Sequence, residues 1–218
     1  MAHFTVIGLG RFGITVCQEL LHLGHTVTGV DADEKVAEQC GSLLSQTVIA
    51  DATDERALKE LNLTDSEAVL VAIGEDMEAS LLCVLHLKNL GINSIWVKAN
   101  TPAHHTILSR LGVHRIVHPE EEMGVRVAQA LNYPMVNDYL SIGHGMYVVE
   151  IHLPAKLDQA PLSQLLKGVS EQVSCLLLKR GQSITRAPEP TTTLNGGDLL
   201  LLCGDRNVLV KLAPRLLQ

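Results

Sequence analysis

The stretch FTVIGLGRFG, residues Phe4–Gly13, decides the fold of this chain. An apolar run ends in glycines spaced GxGxxG, and an amphipathic pattern follows. Gly8 permits a tight turn out of a strand, Gly10 lets the backbone approach a phosphate, and Gly13 lets the next helix pack closely on the sheet. The start of that helix offers unpaired N–H groups to an anion. The stretch therefore predicts a phosphate-binding turn between a strand and a helix.

The acidic end of the second predicted strand supports this interpretation. The run Thr26–Val30 is followed by Asp31, eighteen positions after Gly13. In nucleotide-binding βαβ units, a carboxylate roughly 20 residues beyond the glycines hydrogen-bonds the ribose hydroxyls. We therefore predict an adenosine site, and the alternative is a turn of the same shape that binds no ligand.

The alternation of strand and helix continues to about Pro119. Apolar, β-branched strands are predicted at residues 4–7, 26–30, 47–50, 68–73, 94–97 and 115–117. Continuously apolar strands are typical of a parallel sheet with helices on both faces. The predicted fold class is α/β, with a Rossmann-like doubly wound parallel sheet forming a nucleotide-binding lobe at residues 1–122.

Ligands of such sheets bind beyond the carboxyl ends of the strands, so the residues after each strand should surround one nucleotide. The predicted cofactor-binding residues are Gly8, Gly10, Arg11, Phe12, Gly13, Asp31, Ala32, Asp33, Asp51, Ala52, Thr53, Ile73, Gly74, Glu75, Lys98 and Ala99.

Arg11 distinguishes this glycine loop from a plain dinucleotide fingerprint. It follows the second glycine directly, where a guanidinium could make a forked contact with a distal phosphate. A nicotinamide dinucleotide has less use for such a contact, so Arg11 favours ATP or ADP over NAD. The alternative is an arginine that points to solvent or to a neighbouring subunit.

Two acidic segments have both structural and functional interpretations. Asp51 could face the base or ribose, but the run Asp51–Asp54 is equally typical of a helix N-cap. Glu120 belongs to three consecutive glutamates at a predicted helix start near Met123, where carboxylates complement the helix dipole. The functional hypothesis for Glu120 is a divalent-cation ligand, Mg²⁺ or Ca²⁺, near the nucleotide phosphates.

The remainder of the chain divides into two further predicted parts. Residues 123–142 form a helical crossover, with one helix on each side of Pro134, which we expect to pack against another subunit. Residues 143–218 form a small α+β C-terminal lobe. Its strands are predicted at residues 146–153, 173–180, 183–186 and 199–203, with a short helix at 161–166 and a final helix at 207–217.

Charge and composition exclude several classes of function. The 218 residues are 46% hydrophobic and carry a net charge of −7, so we expect no nucleic-acid partner. No apolar run reaches the roughly 18 residues that a membrane-spanning helix requires, so we expect no direct insertion into a membrane. The sequence begins almost directly in a strand without the pattern of a secretory signal, and we therefore expect a cytoplasmic protein.

Several motifs together resemble those of the RCK (also called KTN) regulators of potassium transport, and most of all the single-RCK cytosolic gating subunits of Ktr-type potassium uptake systems. The resemblance covers nearly the whole chain. The motifs that carry it are GLGRFG at 8–13, GVDADEKV at 29–36, VIADATD at 48–54, VAIGED at 71–76, IWVKA at 95–99 and ILSRLGVHRIVHPEEEMG at 107–124.

The resemblance implies a homo-oligomeric ring, an octamer built from dimers, that docks on the cytoplasmic face of a membrane-embedded potassium transporter. ATP and ADP would hold the ring in different shapes and so gate the pore. By the same resemblance, Arg11 contacts phosphate, Asp31 binds the ribose, Asp51 and Ala52 approach the base, and Glu120 belongs to a divalent-cation site of the dimer. Some relatives bind NAD or NADH, and some bind cyclic di-AMP in the C-terminal lobe, for which this sequence has no signature.

Two functional hypotheses compete, beside a third, a nucleotide hydrolase, which would need an activated water that only Glu75, Asp76 or Glu120 could orient. The first is a nucleotide-responsive regulator without catalysis. The second is an NAD(H)-binding oxidoreductase or an NAD(H)-responsive regulator. An oxidoreductase requires a positioned acid or base beside the nicotinamide, and the C-terminal lobe contains no evident group of that kind. We therefore predict a regulator and no enzyme activity.

Overall fold

The computed structural model describes residues 1–132, 136–154 and 159–216, and the chain separates into two compact units, Met1–Glu121 and Glu122–Gln218. The division falls inside one helix, α6, which begins at Pro119 and ends at Asn132.

The first unit contains a six-stranded parallel sheet with strand order β3-β2-β1-β4-β5-β6, the order of a doubly wound nucleotide-binding sheet. The predicted α/β fold class is confirmed. The strands are β1 (His3–Ile7), β2 (Thr26–Asp31), β3 (Gln46–Ile49), β4 (Ala68–Val71), β5 (Ile95–Lys98) and β6 (Arg115–Val117). The helices between them are α1 (Arg11–His22), α2 (Glu34–Gly41), α3 (Glu55–Glu60), α4 (Met77–Asn89) and α5 (Pro102–Leu111).

Neighbouring residues of one strand belong to separate apolar clusters. Val6 packs in a cluster with Cys17 of α1 and Cys40 of α2, whereas Ile7 packs in a cluster with Cys83 of α4. Because successive side chains of a strand point to opposite faces, helices must cover both faces of the sheet. The continuous apolar runs of the strands follow from this two-sided burial.

The second unit is built on a five-stranded antiparallel sheet with strand order β11-β10-β13-β8-β7. Its core includes Val149, Ile151, Leu200 and Leu202, which are at most 3% exposed. The elements are β7 (Val136–Gly143), β8 (Met146–His152), β9 (Ala160–Pro161), α7 (Leu162–Leu165), β10 (Val173–Arg180), β11 (Ser183–Arg186), β12 (Thr193–Leu194), β13 (Leu199–Asp205), α8 (Arg206–Leu209), a 3₁₀ turn (Val210–Leu212) and α9 (Ala213–Leu216).

The predicted second helix of the crossover is wrong. Residues 136–142 lie in β7, which pairs with β8 as a hairpin. The hairpin closes through His144 and Gly145, whose φ angles of 52° and 76° suit a two-residue turn with both central residues left-handed. Strand pairing across this turn overrides the helix-like apolar spacing. Pro134 lies outside the described residues.

Two other predicted boundaries also differ from the structure. The glutamate-rich helix begins at Pro119 rather than near Met123, so Glu120 lies in its first turn. The predicted final helix is interrupted, because α8, a 3₁₀ turn and α9 replace one continuous element. Pro214 lacks a backbone N–H and disfavours helical geometry before it, which explains the break. Leu217 lies outside the described residues.

Candidate functional site

A cleft of about 560 Å³ opens at the carboxyl ends of the parallel strands, where a doubly wound sheet binds its ligands. It is large enough for a small-molecule ligand. Most of the predicted site residues line it together: Gly8, Gly10, Arg11, Phe12, Asp31, Ala32, Asp51, Ala52, Thr53, Ile73, Gly74, Glu75, Lys98 and Glu120.

Three predicted residues do not line this cleft. Gly13 is buried in α1, Asp33 caps α2 by accepting hydrogen bonds from the backbone of Lys35 and Val36, and Ala99 is 2% exposed. Gly13 was predicted from the GxGxxG motif, and Asp33 and Ala99 from their positions after strands; in the structure Gly13 and Ala99 are buried, and Asp33 is used as a helix cap.

The glycines of the loop have separate steric roles. Gly8 has a φ of +97°, and a Cβ there would lie 3.0 Å from the backbone of Ala72 and Ile73. A Cβ at Gly13 would collide with the carbonyl oxygen of Gly8. Gly8 therefore makes the turn and Gly13 permits close packing of α1, as predicted. A Cβ at Gly10 would meet nothing within 4 Å, so this position borders open space.

The N-terminus of α1 differs from those of the next four helices. Its N-cap, Gly10, supplies no side-chain hydrogen bond. By contrast, side chains of Asp33, Asp54, Asp76 and Thr101 cap α2, α3, α4 and α5. The first turn of α1 thus keeps N–H groups and the positive end of a helix dipole available to an anion in the cleft.

Asp31 links the end of β2 to the glycine loop. Its Oδ2 accepts a hydrogen bond from the backbone N–H of Leu9 at 2.7 Å, and its Oδ1 accepts one from the N–H of Asp33 at 2.9 Å. Each carboxylate oxygen has a second lone pair, so the group retains acceptor capacity for ligand hydroxyls. The backbone contacts fix the direction of the carboxylate toward the loop.

Asp51 forms a local turn with Thr53 and does not cap the following helix. Its Oδ1 accepts hydrogen bonds from the Thr53 N–H at 2.9 Å and the Thr53 hydroxyl at 2.7 Å. These bonds, the backbone one foremost, hold the pKa of Asp51 below its usual range. The N-cap of α3 is Asp54, which accepts from the Arg56 N–H. The run Asp51–Asp54 therefore does contain the N-cap of α3, but the capping residue is Asp54 and not Asp51.

A lysine and a glutamate form an ion pair in the cleft. The Lys98 ammonium lies 2.6 Å from Oε1 of Glu120 and 5.9 Å from the ring centroid of Phe12. A Cβ at Gly74 would lie 3.1 Å from the same nitrogen. The hydrogen bond from Lys98 is the largest cause that holds the pKa of Glu120 below its usual range, and the charge of Arg11 adds to it.

Sequence reasoning missed Asn100, which contributes to the wall of the cleft. Its position could have indicated this, because Asn100 lies two residues beyond the end of β5. Asp76, which follows Gly74 and Glu75 after β4, lines the cleft as the position of that segment predicts. Asp76 also caps α4 by accepting from the N–H of Ala79.

Glu120 belongs to no cluster of metal-binding side chains among the described residues. Across residues 1–132, 136–154 and 159–216, no group of three or more His, Cys, Asp and Glu side chains is placed to hold a metal ion. His105 and His118 do approach, with Nδ1 and Nε2 2.8 Å apart, in a smaller pocket that shares Asn100 with the cleft. That pair was not anticipated from the spacing of the histidines.

No helix in the part of the chain that the structure describes combines the length and apolar character needed to cross a bilayer.

Comparisons with known proteins agree with this architecture. A family described as the TrkA-N domain matches residues 4–119. The Ktr system potassium uptake protein A of Vibrio alginolyticus is 38% identical over 206 residues, which cover 94% of each chain. The protein of the same name from Bacillus subtilis is 38% identical over 93% of this chain and 91% of its own. The Ktr system potassium uptake protein C of Bacillus subtilis is 36% identical over 98% of this chain and 97% of its own.

Solved structures support the fold. The RCK domain of GsuK superposes with a TM-score of 0.67 at 15% identity, covering all of this chain and 48% of that one. The GsuK channel bound to NAD gives a TM-score of 0.63 at 15% identity, covering all of this chain and 39% of that one. This chain therefore spans about half or less of the GsuK chains.

Proposed function

The chain belongs to the TrkA-N domain family, as a relative of the Ktr system potassium uptake proteins along nearly its whole length, and from this premise we propose that it is a nucleotide-sensing regulatory subunit of a membrane potassium transporter. Under this proposal the protein works at the inner face of the cell membrane, held there by its partner. It carries out no reaction.

The uncapped N-terminus of α1 is the observation that carries the proposal. It opens on the cleft, and the Asp31 carboxylate stands beside it at the end of β2. Donors for a phosphate and an acceptor for a ribose thus lie in one cavity of about 560 Å³. These residues fit an adenine nucleotide.

Each part of the nucleotide would have its own residues. The α1 N-terminus and Arg11 would hold the phosphates, Asp31 the ribose, and the segment Asp51–Thr53 the base. The number of phosphates distinguishes ATP from ADP, and the protein would respond to that difference. Arg11 is exposed and lines the cleft, so its guanidinium is free to meet a distal phosphate. ATP and ADP would then stabilise two shapes of the assembly to different extents, and only that difference in affinity shifts the equilibrium.

We propose a ring of copies as the assembly, an octamer formed from dimers. Apolar side chains on the described part of α6 support an interface there, since Met123, Val125, Val127 and Leu131 are between 49% and 78% exposed. Exposed apolar residues that recur on one helix mark a contact surface.

A divalent cation at Glu120 also stays a prediction. Because the described residues hold no cluster of three or more metal-binding side chains at Glu120, we propose that further ligands come from phosphate or from a second copy. To test this, Mg²⁺ or Ca²⁺ is titrated into nucleotide-loaded protein, and the molecular mass of the assembly is measured at each concentration. If the molecular mass of Glu120→Gln depends on the cation as that of the unaltered protein does, Glu120 has only a structural role at the helix terminus.

The direct test of nucleotide identity is the mass and absorbance of the compound that co-purifies with the protein. We expect ATP or ADP. Calorimetric titration of the stripped protein with ATP, ADP and NADH then ranks the three. Binding of none of them would contradict the proposal.

NAD(H) is the second candidate ligand, because the GsuK channel is known with NAD bound and shares this fold. Asp31 suits the ribose of either ligand. Preferred binding of NADH without turnover would make the protein an NAD(H)-responsive regulator. Steady oxidation or reduction of NAD(H) with a small substrate would instead establish an oxidoreductase.

Coexpression with a potassium transporter subunit tests the partner. We expect the two to co-purify, and potassium uptake in a transport-deficient strain to depend on both. Uptake that is equal with and without this chain would contradict a regulatory role.

A further inference from the structure

Lys98 is a buried cation with few partners. The residue is only 9% exposed, and within the described ranges its ammonium hydrogen-bonds Oε1 of Glu120. An ammonium carries three N–H donors. Glu120 accepts from one of them, so the ammonium can donate further hydrogen bonds to oxygen atoms of a ligand that enters the cleft.

The position of the ammonium matches the place where an anion would bind. It lies over the ring of Phe12, the second residue of α1, and against Gly74 at the end of β4. Both residues line the cleft together with Gly10, the uncapped N-cap of α1. The helix N-terminus and the ammonium are therefore two independent positive groups around the same cavity.

Glu120 is a replaceable partner for Lys98. Its side chain is 69% exposed while that of Lys98 is 11% exposed, so water screens the carboxylate much more than the ammonium. A carboxylate oxygen and a phosphate oxygen offer an ammonium the same kind of acceptor. A phosphate that entered the cleft could take over the contact, and Glu120 could return to solvent at little cost.

We infer that Lys98 is a phosphate-binding residue whose ammonium exchanges the Glu120 carboxylate for a phosphate oxygen of a nucleoside di- or triphosphate. This inference rests on the proposed function, and in it Glu120 competes with the phosphate of the ligand for the ammonium of Lys98. In the absence of a divalent cation, Glu120 then opposes nucleotide binding, chiefly by occupying Lys98, while its attraction to Arg11 and its repulsion of the phosphate add smaller effects.

The test is a double-mutant cycle on the full chain, by calorimetry in buffer with a chelator of divalent cations. Adenosine and ADP are titrated into the unaltered protein, Lys98→Met, Glu120→Gln and the double variant. Methionine keeps an apolar side chain of similar length beside Phe12. Lys59→Met is the matched control, because Lys59 forms a 2.7 Å pair with Glu55 on the surface, outside the cleft.

We expect Lys98→Met to weaken ADP binding about tenfold and adenosine binding less than twofold, since a charge-assisted hydrogen bond contributes about that much. Glu120→Gln should tighten ADP binding about threefold in the presence of Lys98 and distinctly less in the Lys98→Met background, where only its effects on Arg11 and on the phosphate remain. Lys59→Met should bind both ligands as the unaltered protein does.

Three outcomes would overturn the inference: equal weakening of ADP and adenosine in Lys98→Met, no change or weaker ADP binding in Glu120→Gln, or the same gain from Glu120→Gln with and without Lys98. If Lys98→Met does not fold, Glu120→Gln decides the question alone, because Glu120 is exposed. Failure of the unaltered protein to bind ADP would overturn the proposed function together with the inference. If the unaltered protein binds ADP and neither substitution changes its affinity for ADP, the inference is overturned but the proposed function is not.

Discussion

The carboxylate of Asp31 accepts a hydrogen bond from the backbone N–H of Leu9 at 2.7 Å. Leu9 is the residue between the first two glycines of the loop, so the end of β2 holds the turn that follows β1. One side chain thus fixes the loop, and under the proposed function it would also present an acceptor to the ribose.

We expect Asp31→Ala to weaken ADP binding at least tenfold, because it removes the ribose acceptor and leaves the Leu9 N–H without its partner. Calorimetry with ADP measures the loss. Asp54→Asn is a suitable control, since Asp54 caps α3 outside the cleft and asparagine is an equally good cap. Normal ADP affinity in Asp31→Ala would contradict the ribose assignment.

Arg11 should act on the difference between nucleotides. We expect Arg11→Ala to narrow the ratio of ATP to ADP affinity by about tenfold and to change adenosine binding little, since a forked guanidinium contact is made to phosphate. Paired titrations with the three ligands measure this. Arg110→Ala on α5, an exposed arginine outside the cleft, serves as the control. If Arg11→Ala keeps the ratio of ATP to ADP affinity of the unaltered protein, Arg11 is not the residue that distinguishes the two nucleotides.

Substitutions of Gly13 and Gly41, two glycines in helices, test the steric role of Gly13 in packing. A Cβ at Gly13 would collide with the backbone oxygen of Gly8, whereas at Gly41 nothing lies within 4 Å. We expect Gly13→Ala to lower the free energy of unfolding by about 1–3 kcal/mol. Gly41→Ala, at the end of α2, should raise it by roughly 0.5–1 kcal/mol through lower entropy of the unfolded chain. Denaturant unfolding measures both, and equal effects would refute the steric role of Gly13.

The sequence predicted the parallel half of the fold well, because two-sided burial leaves a strong pattern in each strand. Val6 and Ile7 are both apolar since each faces a different layer of helices. The hairpin of β7 and β8 was missed because it depends on a left-handed His144, which has no simple signal in the sequence.

Within the site, sequence alone found the residues at the strand ends but not their contacts. Lys98 and Glu120 are 22 positions apart, and their pairing depends on how β5 and α6 are placed in the fold. The same holds for Asp51, whose local bonds to Thr53 compete with the capping role that its spacing suggested. Side-chain direction, rather than position along the chain, separates these alternatives.

The ion pair of Arg180 and Asp198 gives the second unit a dependence on pH. Asp198 is 1% exposed, accepts bonds from Arg180 Nε at 2.8 Å and Nη2 at 2.7 Å, and accepts another from the Asn195 N–H. The bonds from Arg180 are the largest cause that holds the pKa of Asp198 below its usual range. The carboxylate therefore stabilises the fold fully above its unfolded pKa of about 3.9, and this contribution is lost as pH falls through the lower folded pKa.

Asp198→Asn should consequently destabilise the protein by roughly 1–2 kcal/mol at neutral pH, because the charge-assisted bonds to Arg180 are weakened while the guanidinium, 45% exposed, can return to water. The deficit should shrink as pH falls below about 4, where the unaltered protein loses the same interaction. Thermal unfolding of both proteins between pH 3 and pH 7 measures it, at the transition of the second unit. Glu55→Gln on the exposed Lys59 pair is the control, with little expected effect at any pH. A deficit that stays constant across this range would show that packing, and not charge, accounts for the effect of Asp198.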